Sequence, residues 1–327
     1  MKRRHWLAAA AIAVIPRLGR AQTSADRAFP ERPLRFVVPY APGGSTDTSA
    51  RIVAEKLSVL FGQPVIVDNK PGGGTIIGTE VVAKAKPDGH TILLTPAALI
   101  ANAAFGVAVP YDIDKDLVPV LSFVDLPMLL AASNSAPFKS VGELLAWSKA
   151  APGRTVAYAS AGIGSLTHLW GEYVKARTAM PLEHVGYKGS AEALRDVIAG
   201  HVPLFADVLV PTATAIRAGQ VRGLAVAMAA RSSLLPDVPT VSEAGLPGME
   251  GSVPFGISVP GGTPAPLVRQ LNAAFNEAMA DPQTRRKLVE LGFVPIGGAA
   301  QDYAAVLAAE IAKWRKVIKD AKIPAPS

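Results

Sequence analysis

The sequence contains no cysteine among its 327 residues. Disulfide bonds, thiolate metal sites, a cysteine nucleophile and a lipid-anchored cysteine are therefore excluded. Aromatic residues make up only 6% of the chain and charged residues 18%, whereas 50% of the residues are hydrophobic. This balance argues against disorder, and at this length it is typical of two domains built from many short elements.

The sequence also lacks a hydrophobic run long enough to cross a bilayer. Its early apolar run, residues 6–15, follows a basic head and has the length of a signal-peptide core, which predicts a signal peptide over residues 1–21. Arg3 and Arg4 leave the twin-arginine export route open beside the general secretory route. We therefore predict an exported, periplasmic protein.

The positive net charge belongs largely to this predicted leader. Residues 1–21 hold no acidic residue, so their removal lowers the net charge from +7 to +2. No cluster of lysine and arginine remains that could follow a phosphate backbone, and we predict no nucleic-acid partner. The basic residues of the leader are Lys2, Arg3, Arg4, Arg17 and Arg20.

The first glycine-rich stretch lies between a strand pattern and a helix pattern. Residues 34–38 form a short β-branched run, residues 39–44 contain two prolines and two glycines, and a helical apolar spacing continues to residue 61. A loop of this kind directs free backbone N–H groups and the positive end of a helix at one spot, which attracts an anion. The candidate ligand contacts are Tyr40, Pro42, Gly43, Gly44, Ser45, Thr46 and Asp47.

The middle of the chain repeats this pattern. Residues 156–177 are typical of a strand, a loop rich in glycine and serine, and a helix, and two further strand patterns end near Lys188 and at Asp207. Strand ends of this kind face the ligand cleft in open α/β sheets. A plain helix N-cap at Ser165 and solvated turns at Lys188 and Asp207 are the alternatives. The candidate contacts are Ser160, Gly162, Gly164, Ser165, His168, Tyr187, Lys188 and Asp207.

The alternation of strand and helix patterns over residues 34–94 predicts a parallel sheet with covering helices and an α/β fold class. A break at residues 125–127 predicts a crossing into a second lobe, and the proline-rich residues 235–239 predict the return. No regular element is predicted over residues 96–117. Two crossings imply a hinged cleft between lobes. The predicted division is domain 1 over 28–127 and 239–327, and domain 2 over 128–238.

Motifs of catalysis are missing from the sequence. Dinucleotide and Walker spacings, a Gly-x-Ser-x-Gly elbow and a His-Glu-x-x-His pair are all absent, and the histidines beyond the leader have no metal-ligand spacing. We therefore predict a protein that is not an enzyme and has neither a cofactor nor a metal ion. Ser165 and His168, three residues apart, are the nearest approach to a nucleophile and base, so a two-domain periplasmic hydrolase is the alternative.

Residues 38–47, Val-Pro-Tyr-Ala-Pro-Gly-Gly-Ser-Thr-Asp, resemble the signature loop of the Bug family, the substrate-binding receptors of tripartite tricarboxylate transport systems. Residues 68–74, 86–91, 187–190 and 235–240 resemble further family segments in the same order. The resemblance implies a two-lobed periplasmic binding protein fold and a monomer. Such a receptor captures a small organic carboxylate and delivers it to membrane transporter subunits. A sensory receptor with the same binding fold is a further alternative.

The resemblance also implies roles for the two loops. In the family, backbone N–H groups and ordered waters hold a carboxylate between loops that match residues 42–47 and 160–165. The matching aspartate, Asp207, often favours an amine-bearing or hydroxylated ligand end. Val208, Ile163 and Leu166 stand here where the family commonly has more polar residues, which favours an aromatic or aliphatic carboxylate.

Overall fold

A computed structural model of the chain describes residues 29–150 and 155–325. The predicted signal peptide, residues 1–21, lies outside the described residues. The strands are β1 (Leu34–Val38), β2 (Val65–Asn69), β3 (Thr91–Thr95), β4 (Leu117–Ser133), β5 (Val156–Ala159), β6 (Leu182–Val185), β7 (Leu204–Val208), β8 (Val221–Val226), β9 (Ser252–Pro260) and β10 (Val294–Gly297). The α-helices are α1 (Ser45–Phe61), α2 (Ile76–Ala83), α3 (Ala97–Phe105), α4 (Ile113–Asp116), α5 (Val141–Lys149), α6 (Leu166–Thr178), α7 (Ser190–Ala199), α8 (Leu209–Arg217), α9 (Ala265–Ala280), α10 (Pro282–Glu290) and α11 (Ala300–Asp320).

The strands form two parallel groups joined through antiparallel neighbours. In the first group, β1 lies between β2 and β3 and is parallel to both. In the second group, β5 lies between β6 and β7 and is parallel to both. Strand β9 is antiparallel to β3 and to β4, and β4 is antiparallel to β7 and β8. The predicted α/β class is therefore confirmed.

Strand β4 connects the two groups. Its residues 117–127 pair with β9, and its residues 128–133 pair with β7 and β8. The break in the sequence pattern at residues 125–127 does not end the strand, which continues through Pro127. Proline cannot donate to a ladder, and the partner exchange occurs at this position: the Met128 amide donates to the Gly251 carbonyl at 3.0 Å. The predicted domain boundaries stay a prediction.

Helices cover the sheet and bury its apolar side chains. Phe36 of β1 meets Phe275 of α9 edge to face, with ring centroids 5.8 Å apart. Helix α11 packs on β4 and α3 and also contacts α6, which follows β5. The fully buried Trp314 lies on this helix, where its indole N–H donates to Glu310 Oε2 at 2.7 Å. Helix α11 thus contacts elements of both strand groups.

Gly256 in β9 allows α11 to approach the sheet closely. An added Cβ would lie 1.9 Å from Cζ of the buried Tyr303, so alanine at this position should destabilise the fold by about 3 kcal/mol. Gly142 in the first turn of α5 is the matched control. Its nearest neighbour would be Ser140 Oγ at 3.8 Å, so Gly142→Ala should stabilise the protein by about 0.5 kcal/mol. Urea unfolding of both variants measures the difference, and equal effects would contradict this packing.

Helices long and apolar enough to span a bilayer are absent from the described ranges, 29–150 and 155–325.

Candidate functional site

Strand direction places the two candidate loops on facing edges. Strand β4 runs from the first group into the second. Strand β1 is parallel to β3, and β3 and β4 are both antiparallel to β9, so β4 has the same direction as β1. Strand β5 is parallel to β7 and so runs opposite to β4. The carboxyl end of β1 therefore points toward the second group, and that of β5 points toward the first. The loops that follow these strands lie at the crossing between the groups.

The first loop, residues 39–44, leads from β1 into α1. Gly43 has a φ of +87°, and Gly44 is the N-cap of the helix. Residues 41–45 are exposed, and Thr46 is half-buried. The first N–H groups of a helix have no acceptor within the helix, so those of Ser45 and Thr46 are available to an anion.

The buried side chain of Asp47 fixes this loop through hydrogen bonds. Asp47 is only 3% exposed, and its Oδ2 accepts hydrogen bonds from the Gly43 amide and Arg51 Nε, both at 2.9 Å. Its Oδ1 accepts from Asn69 Nδ2 at 2.9 Å. Burial alone would raise the pKa of Asp47, but the hydrogen bonds from Arg51, Gly43 and Asn69 outweigh burial and lower this pKa. Both oxygens are engaged by the protein, so Asp47 positions the loop.

The second loop, residues 160–165, leads from β5 into α6. Ser165 is the N-cap of this helix: its Oγ accepts from the His168 amide at 3.1 Å and donates to the Gly162 carbonyl at 2.7 Å. His168 Nδ1 accepts from the Gly164 amide at 3.1 Å. Ser165 Oγ thus bonds the backbone of His168 and leaves the ring to another partner. The pairing of nucleophile and base that a hydrolase needs is not formed between them.

A second histidine lies beneath the same loop. The rings of His168 and His184 are stacked with centroids 3.9 Å apart, and His184 Nε2 is 2.8 Å from Ser160 Oγ. Burial is the main cause that lowers both pKa values; for His184, the charges of His168 and Lys175 lower it further, to about 3. Sequence reasoning missed His184 because its partners lie on other elements.

The remaining predicted residues surround the second loop. The Tyr187 hydroxyl donates to Asp196 Oδ2 at 2.8 Å, so this side chain is fixed against α7. An added Cβ on Gly162 would lie 2.5 Å from the Tyr187 carbonyl oxygen, which places the backbone of Tyr187 directly against the loop. Lys188 is exposed, and its amide donates to Glu192 Oε2 at 3.2 Å.

Asp207 is fully buried near the end of β7. Its Oδ1 accepts from Ser190 Oγ at 3.0 Å and from the Val208 amide at 2.7 Å, whereas Oδ2 has no hydrogen-bond partner among the described residues. Burial raises the pKa of Asp207 to about 7 against the weaker effect of these hydrogen bonds. A buried carboxyl oxygen without a partner is costly unless something else satisfies it. The solvated-turn alternative is wrong for Asp207.

Two cavities are lined by residues outside the two candidate loops. One of about 340 Å³ is at the crossing and is bounded by Asp125, Ser252 and Glu310. The other, of about 230 Å³, lies beneath α11 between Leu99 and Leu307. Neither is lined by a predicted site residue. Within the part of the chain that the structure describes, no cluster of three or more histidine and acidic side chains could hold a metal ion.

Comparisons with known proteins agree on one family. Residues 49–323 match the model of the tripartite tricarboxylate transporter family receptor. A protein encoded in the tcbD–tcbE intergenic region of a Pseudomonas species is 40% identical, over 99% of this chain and 96% of the relative. Protein BugT of Bordetella pertussis is 35% identical over 92% of each chain.

Solved structures show the same relationship. A Rhodopseudomonas palustris protein with adipate is 37% identical, with a TM-score of 0.79 over 90% of this chain and 99% of that one. MatC from the same organism, with bound malate, is 32% identical, with a TM-score of 0.74 over 89% of this chain and 100% of that one. The periplasmic binding protein BugD is 34% identical, with a TM-score of 0.75 over 90% and 99% of the two chains.

The two-lobed periplasmic binding protein fold is therefore confirmed. The chain belongs to the tripartite tricarboxylate transporter receptor family, which includes the Bug proteins.

Proposed function

We propose that the protein is a periplasmic solute-binding receptor. It captures a small organic carboxylate between two lobes, as a monomer, and delivers it to the membrane subunits of a tripartite tricarboxylate-type transporter. The observation that carries this proposal is the pair of loops that precede helices α1 and α6, one from each strand group. Each offers amides at a helix N-terminus that have no acceptor among the described residues, and their strands point toward one another.

The ligands of two relatives support a carboxylate. One Rhodopseudomonas palustris relative was solved with adipate and another with malate. Both ligands carry two carboxylates, and a two-loop site can hold one of them by backbone N–H groups while other residues select the remainder. Charge-assisted bonds from amides to a carboxylate are among the stronger hydrogen bonds.

We propose that Asp207 binds the end of the ligand opposite the carboxylate that the two loops hold. Its free Oδ2 can accept from a ligand hydroxyl or ammonium group when ionised, and it can donate to a second carboxylate when protonated. Ile163 of the second loop is 61% exposed and gives this lobe an apolar contact. This pairing favours a ligand with a short aliphatic or aromatic body between its polar ends.

Ligand capture requires the lobes to bend at their connections. One connection is β4 at Pro127, and we propose that the other is at Gly251, later than the predicted boundary after residue 238. The Gly251 amide donates to the Ala227 carbonyl at 3.0 Å, and the preceding Met249 carbonyl accepts from Trp170 of α6 at 3.0 Å. The residues just before Gly251 thus pack against the second lobe.

A thermal-shift screen tests the proposed function. Purified protein is heated with adipate, malate, other mono- and dicarboxylates, and neutral amides of the same carbon skeletons. A ligand at about a hundred times its Kd stabilises the native state by about 2.7 kcal/mol, so one acid should raise the melting temperature by several degrees and its amide should not. A shift with no carboxylate, or turnover of a bound one, would overturn the proposal.

The Asp207→Asn variant should change how stability depends on pH. The carboxyl of Asp207 has a pKa of about 7 in the native state, above its ordinary value of about 3.9 in the unfolded chain. The native state therefore holds the extra proton, and this group lowers stability as the pH rises from about 4 to about 7. Asparagine removes that dependence, which urea unfolding across this range measures. Parallel profiles for wild type and variant would contradict the assignment.

A further inference from the structure

The backbone of the second loop is fixed by its own side chains. The amides of Ala161 and Gly162 donate to Thr167 Oγ1 and Ser160 Oγ, each at 3.2 Å, and that of Gly164 donates to His168 Nδ1. The Ile163 amide, which lies between these fixed positions, has no acceptor among the described residues. Fixing the amides on both sides of Ile163 sets the direction of its own N–H group.

The bond from the Gly164 amide constrains the protonation state of His168. A backbone amide can only donate, so Nδ1 must present a lone pair, and the proton of the neutral ring is on Nε2. A doubly protonated imidazole has no acceptor and would turn this contact into two opposed N–H groups. This loop geometry therefore exists only with a neutral His168.

The surroundings of the stacked histidines oppose a charge on either ring. The His168 and His184 ring centroids are 3.9 Å apart, and the Tyr158 ring lies 5.0 Å from that of His184. The nearby charged groups are Glu172 and Lys175 of α6, which pair with each other at 3.2 Å, and Glu172 also accepts from the Tyr158 hydroxyl at 2.8 Å. Two stacked cations in this position would repel each other without a free counterion.

We propose that His168 and His184 are positioning residues for the second anion-binding loop, and that the loop keeps its ligand-binding shape only while His168 is uncharged. This proposal rests on the proposed function and adds a pH dependence to the same site. When acid protonates His168, its bond to the Gly164 amide is lost, the loop loosens and the ligand is released. Asp207 also titrates in the second lobe. The readout is therefore the difference between the pH profiles of wild type and a His168 variant, because Asp207 is the same in both proteins.

Two variants separate the hydrogen bond from the volume of the ring. In His168→Asn, the side-chain Oδ1 can take the place of Nδ1 and accept from the Gly164 amide without titrating. In His168→Leu, the acceptor is lost and the apolar bulk is kept. His201→Asn is the control, because His201 is a histidine of the same lobe whose side chain is 70% exposed.

The first readout needs no ligand. Hydrogen exchange of the Gly164 amide, measured by NMR and expressed as protection relative to an unstructured chain, follows the bond directly. We expect protection in wild type at about pH 8 that is lost as the pH falls below the ordinary imidazole range near 6.5. We expect protection at every pH in His168→Asn and none in His168→Leu, while His201→Asn behaves as wild type.

The second readout is the affinity for adipate and malate, measured calorimetrically between about pH 8 and about pH 4. His168→Leu should weaken binding roughly tenfold. The affinity of His168→Asn should stay within about threefold of wild type, and it should lack the fall in affinity that protonation of His168 causes in wild type. If wild type binds neither acid, Gly164 protection alone decides the positioning role, and the thermal-shift screen over the other carboxylates decides the proposed function. If His168→Leu does not fold, the wild-type and asparagine profiles decide it. Identical protection and identical pH profiles in wild type and His168→Asn would overturn the proposal.

Discussion

Replacing Gly162 with alanine should abolish carboxylate binding, with a loss of affinity of at least about a hundredfold. Gly162 has a φ of +136°, a conformation that L-residues rarely adopt, and an added Cβ would lie 2.5 Å from the Tyr187 carbonyl oxygen. Neither atom belongs to a flexible side chain, so either the loop or the segment that contains Tyr187 must move. Movement of the loop redirects the Ile163 amide, which we propose as a ligand contact.

Gly44→Ala in the first loop is the matched control for that substitution. Gly44 has a φ of −75°, and its nearest neighbour would be the Ala41 carbonyl oxygen at 4.0 Å, so alanine fits without strain. Affinity for the best acid of the thermal-shift screen should change less than about threefold in Gly44→Ala. Circular dichroism establishes that both variants are folded. Equal affinities of Gly162→Ala and wild type would show that the second loop does not hold the ligand.

Replacing Asp47 with alanine should destabilise the protein by about 3 kcal/mol and also weaken binding. The substitution removes the acceptor of three groups at once, the Gly43 amide, Arg51 Nε and Asn69 Nδ2. Gly43 has a left-handed backbone conformation that depends on this support, so the first loop should loosen. Urea unfolding near neutral pH measures the stability, and calorimetry measures the affinity.

Asp320→Ala provides the comparison for a carboxylate on the surface. Asp320 pairs with Lys316 one turn earlier in α11 and is 54% exposed, so its loss should cost less than about 0.5 kcal/mol. The pKa of Asp47 is lowered in the native state, so its contribution is complete above about pH 4 and is lost as the pH falls through the native value. The gap between wild type and Asp47→Ala should narrow in acid. A gap that is independent of pH would contradict the ionised role of Asp47.

The sequence predicts those parts of the site that depend on residues close to one another along the chain. Proline and glycine mark the first loop, and serine at the start of a helix pattern correctly offered Ser165 as an N-cap. Helix α3 was missed because its residues, Ala97–Phe105, are nearly all apolar and show no polar face. Periodicity cannot reveal an element that is buried on most sides.

Partners that are distant in the sequence could not be predicted in the same way. The bond from Asn69, on the next strand, to Asp47 Oδ1 is one such contact, and the role of Asp47 as a ligand contact stays a prediction. His184 and Ser160 meet across 24 residues, and Ser190 reaches Asp207 from 17 residues earlier. Strand β4 continues through Pro127 because the pairing partner changes there, and strand pairing is not a local property of the sequence.

The most direct test of the two-loop site is a map of amide chemical shifts on ligand binding. Isotope-labelled wild-type protein is titrated with the acid that gives the largest thermal shift, and the backbone amide signals are followed by NMR. We predict that the amides of Ser45 and Thr46 in the first lobe and of Ile163 in the second shift together, with one common Kd. Shifts confined to one loop, or centred on the cavity between Asp125 and Glu310, would contradict a carboxylate held between the two helix N-termini.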